Sequence, residues 1–96
     1  MPSKPYDKGR RAEYRVRYVL RNQGYIVIRS AGSKTPVDLV AINPTNREIL
    51  LIQVKTGKSR LSPEEREVLR NLNGTYEVKA MTTVREGKRL KLVEVR

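Results

Sequence analysis

An aspartate lies within one aliphatic segment of this chain, and a glutamine and a lysine lie at the end of the next aliphatic segment. Asp38 is one of only two aspartates, and every other residue of the segment 37–42 is apolar. A carboxylate in such a run costs free energy unless a cation or a hydrogen-bond donor compensates it. Gln53 and Lys55 are two residues apart, so on an extended strand they project to the same face. Together these groups suit a metal-assisted site at a sheet edge.

The residue types that the chain lacks narrow this chemistry. It contains no cysteine and no histidine. Disulfides, thiolate nucleophiles, imidazole bases and zinc sites built from either residue are therefore excluded. Carboxylates, lysine, hydroxyl groups and metal-bound water remain as the possible catalytic groups.

The net charge indicates the kind of partner. Lys and Arg number 21 against 10 Asp and Glu, which gives a formal charge of +11 and favours a polyanion, most simply nucleic acid. Five Tyr with no Phe or Trp argue against a base-stacking platform and favour contacts to a phosphate backbone. Because the aliphatic runs are short, we predict no signal peptide, no membrane span and a cytoplasmic location.

Two helices are predicted. Residues 7–23 place four apolar side chains on one helical stripe with arginines around it: Ala12, Val16, Val19 and Leu20. Glu13 lies at the border of this stripe, from which it can reach a sheet edge. Ser62, Pro63 and Glu65 supply the N-cap, the first helical position and the capping-box acid of a second helix.

Short β-branched and aliphatic runs predict strands over residues 25–29, 37–42, 48–55, 75–84 and 90–95. A turn over residues 43–47 joins the second and third strands. Because these two strands are nearly continuous aliphatic runs, we expect them to be central and covered on both faces. The 96 residues allow one core, so we predict a single α/β domain, with residues 1–7 as a flexible N-terminal arm.

Each chemical feature has a simpler interpretation when taken alone. The basic helix fits a solvated surface, Lys55 fits an exposed strand terminus, and Asp38 fits a strand-end carboxylate paired with Lys34 or Arg29. Taken together, a helix acid, a strand aspartate and Gln-x-Lys in this order are harder to attribute to chance. We therefore interpret them as one site.

Four segments carry a resemblance to a known family: KGRRAE at 8–13, YIVIRSAGS at 25–33, VDLV at 37–40 and IQVK at 52–55. They resemble the archaeal-type Holliday junction resolvases of the restriction-endonuclease-like PD-(D/E)xK nuclease superfamily. The resemblance runs from about residue 8 to residue 58 and includes the loop after the first strand. It implies a compact domain with a central mixed β-sheet flanked by helices.

The resemblance also implies roles for individual residues. Asp38 would be the central metal ligand, Glu13 would complete the acidic cluster, and Lys55 would activate the attacking water. Gln53 occupies the position at which the family usually has glutamate. Its oxygen still binds Mg²⁺ but supplies no negative charge, so metal affinity should fall. Contacts with DNA are implied for seven residues: Arg10, Arg11, Arg29, Ser30, Ser33, Lys34 and Lys58.

The resemblance implies that the chain is an Mg²⁺-dependent endonuclease, and Mn²⁺ is expected to substitute for Mg²⁺. It also implies a homodimer that resolves four-way DNA junctions in recombination and repair. Three alternatives stay open. One is a nuclease of the same fold with another DNA substrate, and another is a junction-binding module disabled by Gln53. The third is a basic RNA-associated protein, which leaves Asp38 unexplained.

Overall fold

The structure, a computed structural model, describes residues 5–31 and 35–96. Two helices and five strands follow one another along the chain: α1 (Pro5–Asn22), β1 (Ile26–Arg29), β2 (Leu39–Asn43), β3 (Glu48–Ile52), α2 (Pro63–Leu72), β4 (Met81–Glu86) and β5 (Arg89–Glu94). This order confirms the α/β class. Neither described helix combines the length and apolarity that crossing a membrane requires.

Helix α1 begins at Pro5, so residues 5–7 are helical rather than part of an arm, and residues 1–4 lie outside the described part of the chain. The helix ends in a Schellman motif. There the N–H of Tyr25 donates to the carbonyl of Leu20 at 3.1 Å, and Gly24 has φ 93°, a left-handed conformation that glycine adopts without a steric penalty. This reversal leads the chain directly into β1.

Strands β1, β2 and β3 form an antiparallel sheet with β2 in the centre. Helix α1 packs on β1 and β2, and Leu39 and Ala41 of β2 are fully buried. The prediction that both aliphatic strands are covered on both faces is wrong for β3. It is an edge strand, and its Ile49 and Leu51 are 42% and 37% exposed.

The turn predicted over residues 43–47 is confirmed, and a buried side chain stabilises it. The side-chain oxygen of Asn43 accepts the N–H groups of Thr45 at 3.0 Å and Asn46 at 3.1 Å. Arg47 completes the reversal with φ 59°. The turn fixes the register of β2 and β3, which pairs Leu39 with Ile52.

Helix α2 starts as its sequence predicts. The Ser62 hydroxyl accepts the N–H of Glu65, and the Glu65 carboxylate accepts the N–H of Ser62, so the capping box is complete. Residues 73–80 then have no regular structure, and the strand predicted from residue 75 begins only at Met81. It pairs with β5 as a separate hairpin. The described pairings are thus all antiparallel and form two sheets, whereas the resemblance implies one mixed sheet.

The chain is more extended than a compact domain of its length. Its radius of gyration is 16.7 Å and its longest extent is 54 Å, whereas a compact domain of this size has a radius of gyration of about 12.5 Å. The strands of the β4–β5 hairpin pair only with each other, so the hairpin does not extend the three-stranded sheet.

Candidate active site

Asp38 lies just before β2, where hydrogen bonds from both neighbouring segments reach it. The N–H of Ser30 donates to its carbonyl at 3.0 Å, and its own N–H donates to the carbonyl of Ile52 at 2.8 Å. The half-buried carboxylate accepts the N–H of Val54 at 2.8 Å through Oδ2. The backbone therefore fixes this side chain, and the bond occupies only one of its two oxygens.

Among the described residues Asp38 makes no ion pair with Arg29, whose Nε pairs with Glu13, so the simpler interpretation of Asp38 as a partner of Arg29 is wrong. Lys34, the other candidate partner, lies outside the described residues. A backbone N–H, rather than a side-chain cation, thus compensates the carboxylate within the described part of the chain.

Gln53 lies directly after β3, between Ile52 and Val54, whose backbone groups form hydrogen bonds with Asp38. Its side-chain oxygen, Oε1, is buried and accepts no hydrogen bond. A buried acceptor without a donor costs about 1–3 kcal/mol. This unpaired oxygen, on the residue between the two that hold Asp38, is a sign of a ligand site among the described residues.

Asp38 and Gln53 offer oxygen donors of the kind that Mg²⁺ binds. The unpaired Oε1 of Gln53 fits a cation, because a bound ion satisfies an oxygen that no donor reaches. Across residues 5–31 and 35–96, no three acidic side chains are grouped as a metal cluster. The residues therefore fit a site with one carboxylate and one neutral ligand, which binds a divalent cation less tightly than two carboxylates do.

Glu13 reaches the sheet from α1, as its place on the stripe border predicts. Its Oε1 lies 3.1 Å from Nε of Arg29, and the Glu13 side chain is 22% exposed. Arg29 directly precedes Ser30, whose N–H binds the Asp38 carbonyl. The backbone bond between Ser30 and Asp38 therefore links the segment that carries Arg29 to Asp38, and Arg29 balances the charge of Glu13.

Lys55 makes its ionic contact with α2. Its Nζ lies 3.1 Å from Oε1 of Glu65 and 3.2 Å from Oε2. The N–H of Ser62 also donates to Oε1 of Glu65, at 2.9 Å. The bond from Ser62, followed by the contact with Lys55, lowers the pKa of Glu65. Glu65 thus stays charged and fixes the lysine relative to the start of α2.

The sequence indicates Glu65 only as a capping residue. The S-x-x-E pattern predicts one bond, from the N–H of Ser62. Nothing in the ten-residue separation from Lys55 predicts the ion pair, because the loop between them has no periodicity. Glu65 is the site residue that sequence reasoning missed.

The candidate DNA-binding residues lie on exposed parts of the chain where the structure describes them. Arg10, Arg11, Arg29, Ser30 and Lys58 are exposed, whereas Ser33 and Lys34 lie outside the described residues. Lys58 sits in a turn closed by the N–H of Ser59 donating to the Thr56 carbonyl at 3.0 Å. The structure thus leaves five of the seven candidate positions accessible to a phosphate backbone.

Comparison with known proteins identifies the family. The sequence model described as archaeal Holliday junction resolvase (Hjc) matches residues 4–85, a span that includes α1, the three-stranded sheet, α2 and most of β4. No curated protein and no solved structure matches the chain. The matched span contains Glu13, Asp38, Gln53 and Lys55 and covers most of the 96 residues. The chain therefore belongs to the archaeal Holliday junction resolvase family.

Proposed function

We propose that this chain is a structure-selective endonuclease that hydrolyses phosphodiester bonds in four-way DNA junctions. Membership of the resolvase family supports action on junction DNA in recombination and repair. The observation that carries the proposal is the buried, unpaired Oε1 of Gln53 next to the backbone-fixed carboxylate of Asp38. A formal charge of +11 supplies the attraction to DNA.

Asp38 and Gln53 would hold Mg²⁺, with the carbonyl of Val54 as a further oxygen, and Mn²⁺ should substitute for it. When bound, the ion polarises a phosphate oxygen and lowers the pKa of its water ligand. The ammonium of Lys55 offsets the negative charge that develops on the phosphate in the transition state. Glu65 limits the positions that this long side chain can take.

Arg29 is suited to hold the phosphate near Asp38. Its ion pair with Glu13 uses Nε, whereas a guanidinium carries five N–H donors. The terminal nitrogens of this half-exposed side chain can therefore bind a phosphate while Glu13 fixes its direction. Exposed Arg10, Arg11 and Lys58 add phosphate contacts that do not depend on base sequence.

Resolution of a junction requires two cuts in opposing strands. A two-fold homodimer presents two identical sites in a fixed relation, so we propose a dimer as the working unit. The substrate places the protein with the cellular DNA, which supports an intracellular, DNA-associated location.

The test uses an end-labelled immobile four-way junction and a linear duplex of the same sequence, each with Mg²⁺ and with chelator. We expect Mg²⁺-dependent paired nicks in opposing junction strands and an intact duplex. Gln53→Glu should cut at lower Mg²⁺ concentration, because it adds a second carboxylate. Asp38→Asn is the matched control and should bind the junction without cutting it.

The same assay separates the alternatives. A duplex cut as fast as the junction would indicate a nuclease with another DNA substrate. Junction binding without cutting, with cleavage restored by Gln53→Glu, would indicate a disabled enzyme. The neutral Gln53 is the observation that favours this second candidate. If neither protein cuts at any Mg²⁺ or Mn²⁺ concentration, the nuclease proposal fails.

A further inference from the structure

Two tyrosines lie on the side of α1 that faces away from the sheet. Tyr14 and Tyr18 are 62% and 60% exposed, and with about 100° per residue they lie about 40° apart around the helix axis. Ala12 and Val16 lie on the opposite side of the helix and are half-buried, since α1 packs on β1 and β2. The packing of α1 on the sheet therefore leaves both rings exposed.

An arginine one turn along the helix orders one of the two rings. The guanidinium carbon of Arg17, Cζ, lies over the Tyr14 ring at 5.6 Å from its centre, which is within the range of a cation–π interaction. Because Arg17 is half-buried, its guanidinium is held in place against the ring. Tyr14 is nevertheless 62% exposed, so a flat ligand can still contact it.

Further arginines lie on the same side of α1 as the tyrosines. Arg10 and Arg21 are exposed, the first about one turn before Tyr14 and the second about one turn after Tyr18. From Arg10 to Arg21 the helix rises by about 16 Å. We call this surface the α1 face, and it consists of five residues: Arg10, Tyr14, Arg17, Tyr18 and Arg21.

The α1 face has no acidic residue to balance its charge. Among residues 9–22, Glu13 is the single acidic side chain, and it pairs with Arg29 of β1. The face therefore combines positive charge with two exposed aromatic rings, and it complements a ligand that carries both anionic and flat apolar groups.

An unpaired DNA strand is a ligand of this kind. Its phosphates attract arginines, and its bases stack on aromatic side chains. A paired duplex offers the same phosphates, but its bases are stacked on one another and cannot lie against the rings. The low aromatic content of the chain favours contacts to the phosphate backbone, yet two of its five tyrosines lie together on the α1 face.

We propose that the α1 face binds unpaired bases at the point where DNA strands branch. Tyr14 and Tyr18 stack on the bases, and the arginines of the face bind the adjacent phosphates. Glu13, which directly precedes Tyr14, pairs with Arg29, so the helix that holds these bases also contacts the strand next to the candidate active site. The inference rests on the proposed function, because it adds a second binding site for the same DNA substrate.

The test measures binding in chelator, so that it does not depend on cleavage. Fluorescence anisotropy compares a fluorescein-labelled four-way junction that is fully paired with the same junction carrying unpaired thymidines at the branch point. We expect the wild type to bind the junction with unpaired bases about tenfold more tightly, within the range that base stacking on aromatic residues gives. Tyr14→Ala/Tyr18→Ala should bind both junctions with the affinity of the wild type for the paired one.

Two controls accompany this variant. Tyr14→Phe/Tyr18→Phe keeps both rings and should retain the preference for unpaired bases. Tyr76→Ala removes a tyrosine of equal exposure, 61%, that lies outside α1, and it should also retain the preference. Unchanged affinity of the alanine variant for the paired junction shows that its fold is intact.

The remaining outcomes overturn the inference. If the wild type binds both junctions equally, or if the alanine variant keeps the preference, the α1 face does not bind bases. Equal weakening of both junctions by the alanine variant would assign the tyrosines to the stability of α1 or to its phosphate contacts. In these cases Mg²⁺-dependent cleavage of the paired junction still supports the proposed function, whereas a wild type that binds neither junction overturns both.

Discussion

Substitution of Asp38 separates what its carboxylate does for the fold from what it does for the reaction. Asp38→Asn keeps an oxygen that can accept the N–H of Val54, now 2.8 Å away, but removes the charge. Asp38→Ala removes the acceptor and leaves that N–H without a partner. A hydrogen bond to a charged group contributes about 1.5–3 kcal/mol and a neutral one about 0.5–1.5 kcal/mol, whereas an orphaned group costs about 1–3 kcal/mol. We therefore expect losses of about 1 kcal/mol for Asn and about 2 kcal/mol for Ala.

Urea unfolding at one fixed protein concentration measures both losses, because a dimer's stability depends on concentration. With a urea slope of about 2 kcal/mol per M, the midpoint should fall by about 0.5 M for Asn and about 1 M for Ala. Junction cleavage in Mg²⁺ should be lost in both variants. Equal midpoints for Asn and Ala would refute the role of the Val54 bond, and cleavage by Asp38→Asn at the wild-type rate would refute the metal-ligand role.

Glu65→Gln keeps a side chain that the capping box accepts but removes the charge that fixes Lys55. We expect the junction cleavage rate to fall several-fold with affinity unchanged. Because the pKa of Glu65 is lowered from 4.5, its contribution to stability is present above pH 4.5 and is lost as pH falls through the folded-state pKa. Acid unfolding of the variant should lack this step. The hydrogen bond from Tyr25 to Glu48 raises the pKa of this tyrosine above 10.0, so ultraviolet titration should show a late-ionising phenol that Tyr25→Phe removes and Glu48→Gln brings back toward 10.0. Arg10→Ala should weaken junction binding equally for unrelated sequences and reduce the slope of log affinity against log salt by about one, as measured by fluorescence anisotropy.

The features that sequence predicts best here are those stabilised by neighbouring residues. The start of α2 follows from the bonds between Ser62 and Glu65, three residues apart. The turn after β2 follows from Asn43 and the two N–H groups that it accepts. The end of α1 follows from Gly24, since few other residues adopt its conformation readily. Each of these three features is specified by residues that lie close together in the sequence.

The features that sequence does not predict depend on which segments meet in space. An aliphatic run predicts burial but does not say what covers it, so β3 is an edge strand with an exposed face. Residues 75–80 have the alternation of a strand, yet no strand pairs with them. The ion pairs of Glu13 with Arg29 and of Lys55 with Glu65 join segments whose approach the tertiary fold alone determines. Sequence reasoning assigns site roles to Glu13, Arg29 and Lys55 and only a capping role to Glu65, and it predicts neither ion pair.

The backbone, rather than the side chain at position 53, sets the geometry around Asp38. The bonds from Asp38 to the Ile52 carbonyl and from Val54 to the Asp38 carboxylate hold the residues on both sides of Gln53. Glutamate and glutamine have nearly the same shape, so Gln53→Glu changes the charge of a fixed site. Two carboxylates held at such a site repel each other unless a cation lies between them.

We therefore expect Gln53→Glu to be less stable than the wild type in chelator and to recover when Mg²⁺ is added. A ligand that binds only the folded state stabilises it by about 2.7 kcal/mol at 100 times its dissociation constant. Urea unfolding of both proteins across a Mg²⁺ series measures this without any cleavage. Asp38→Asn/Gln53→Glu is the matched control, since it restores a single carboxylate and should lose most of the Mg²⁺ response. If Gln53→Glu unfolds at the wild-type midpoint in chelator and Mg²⁺ does not shift it, the two side chains do not share a metal, and the buried oxygen of Gln53 serves another purpose.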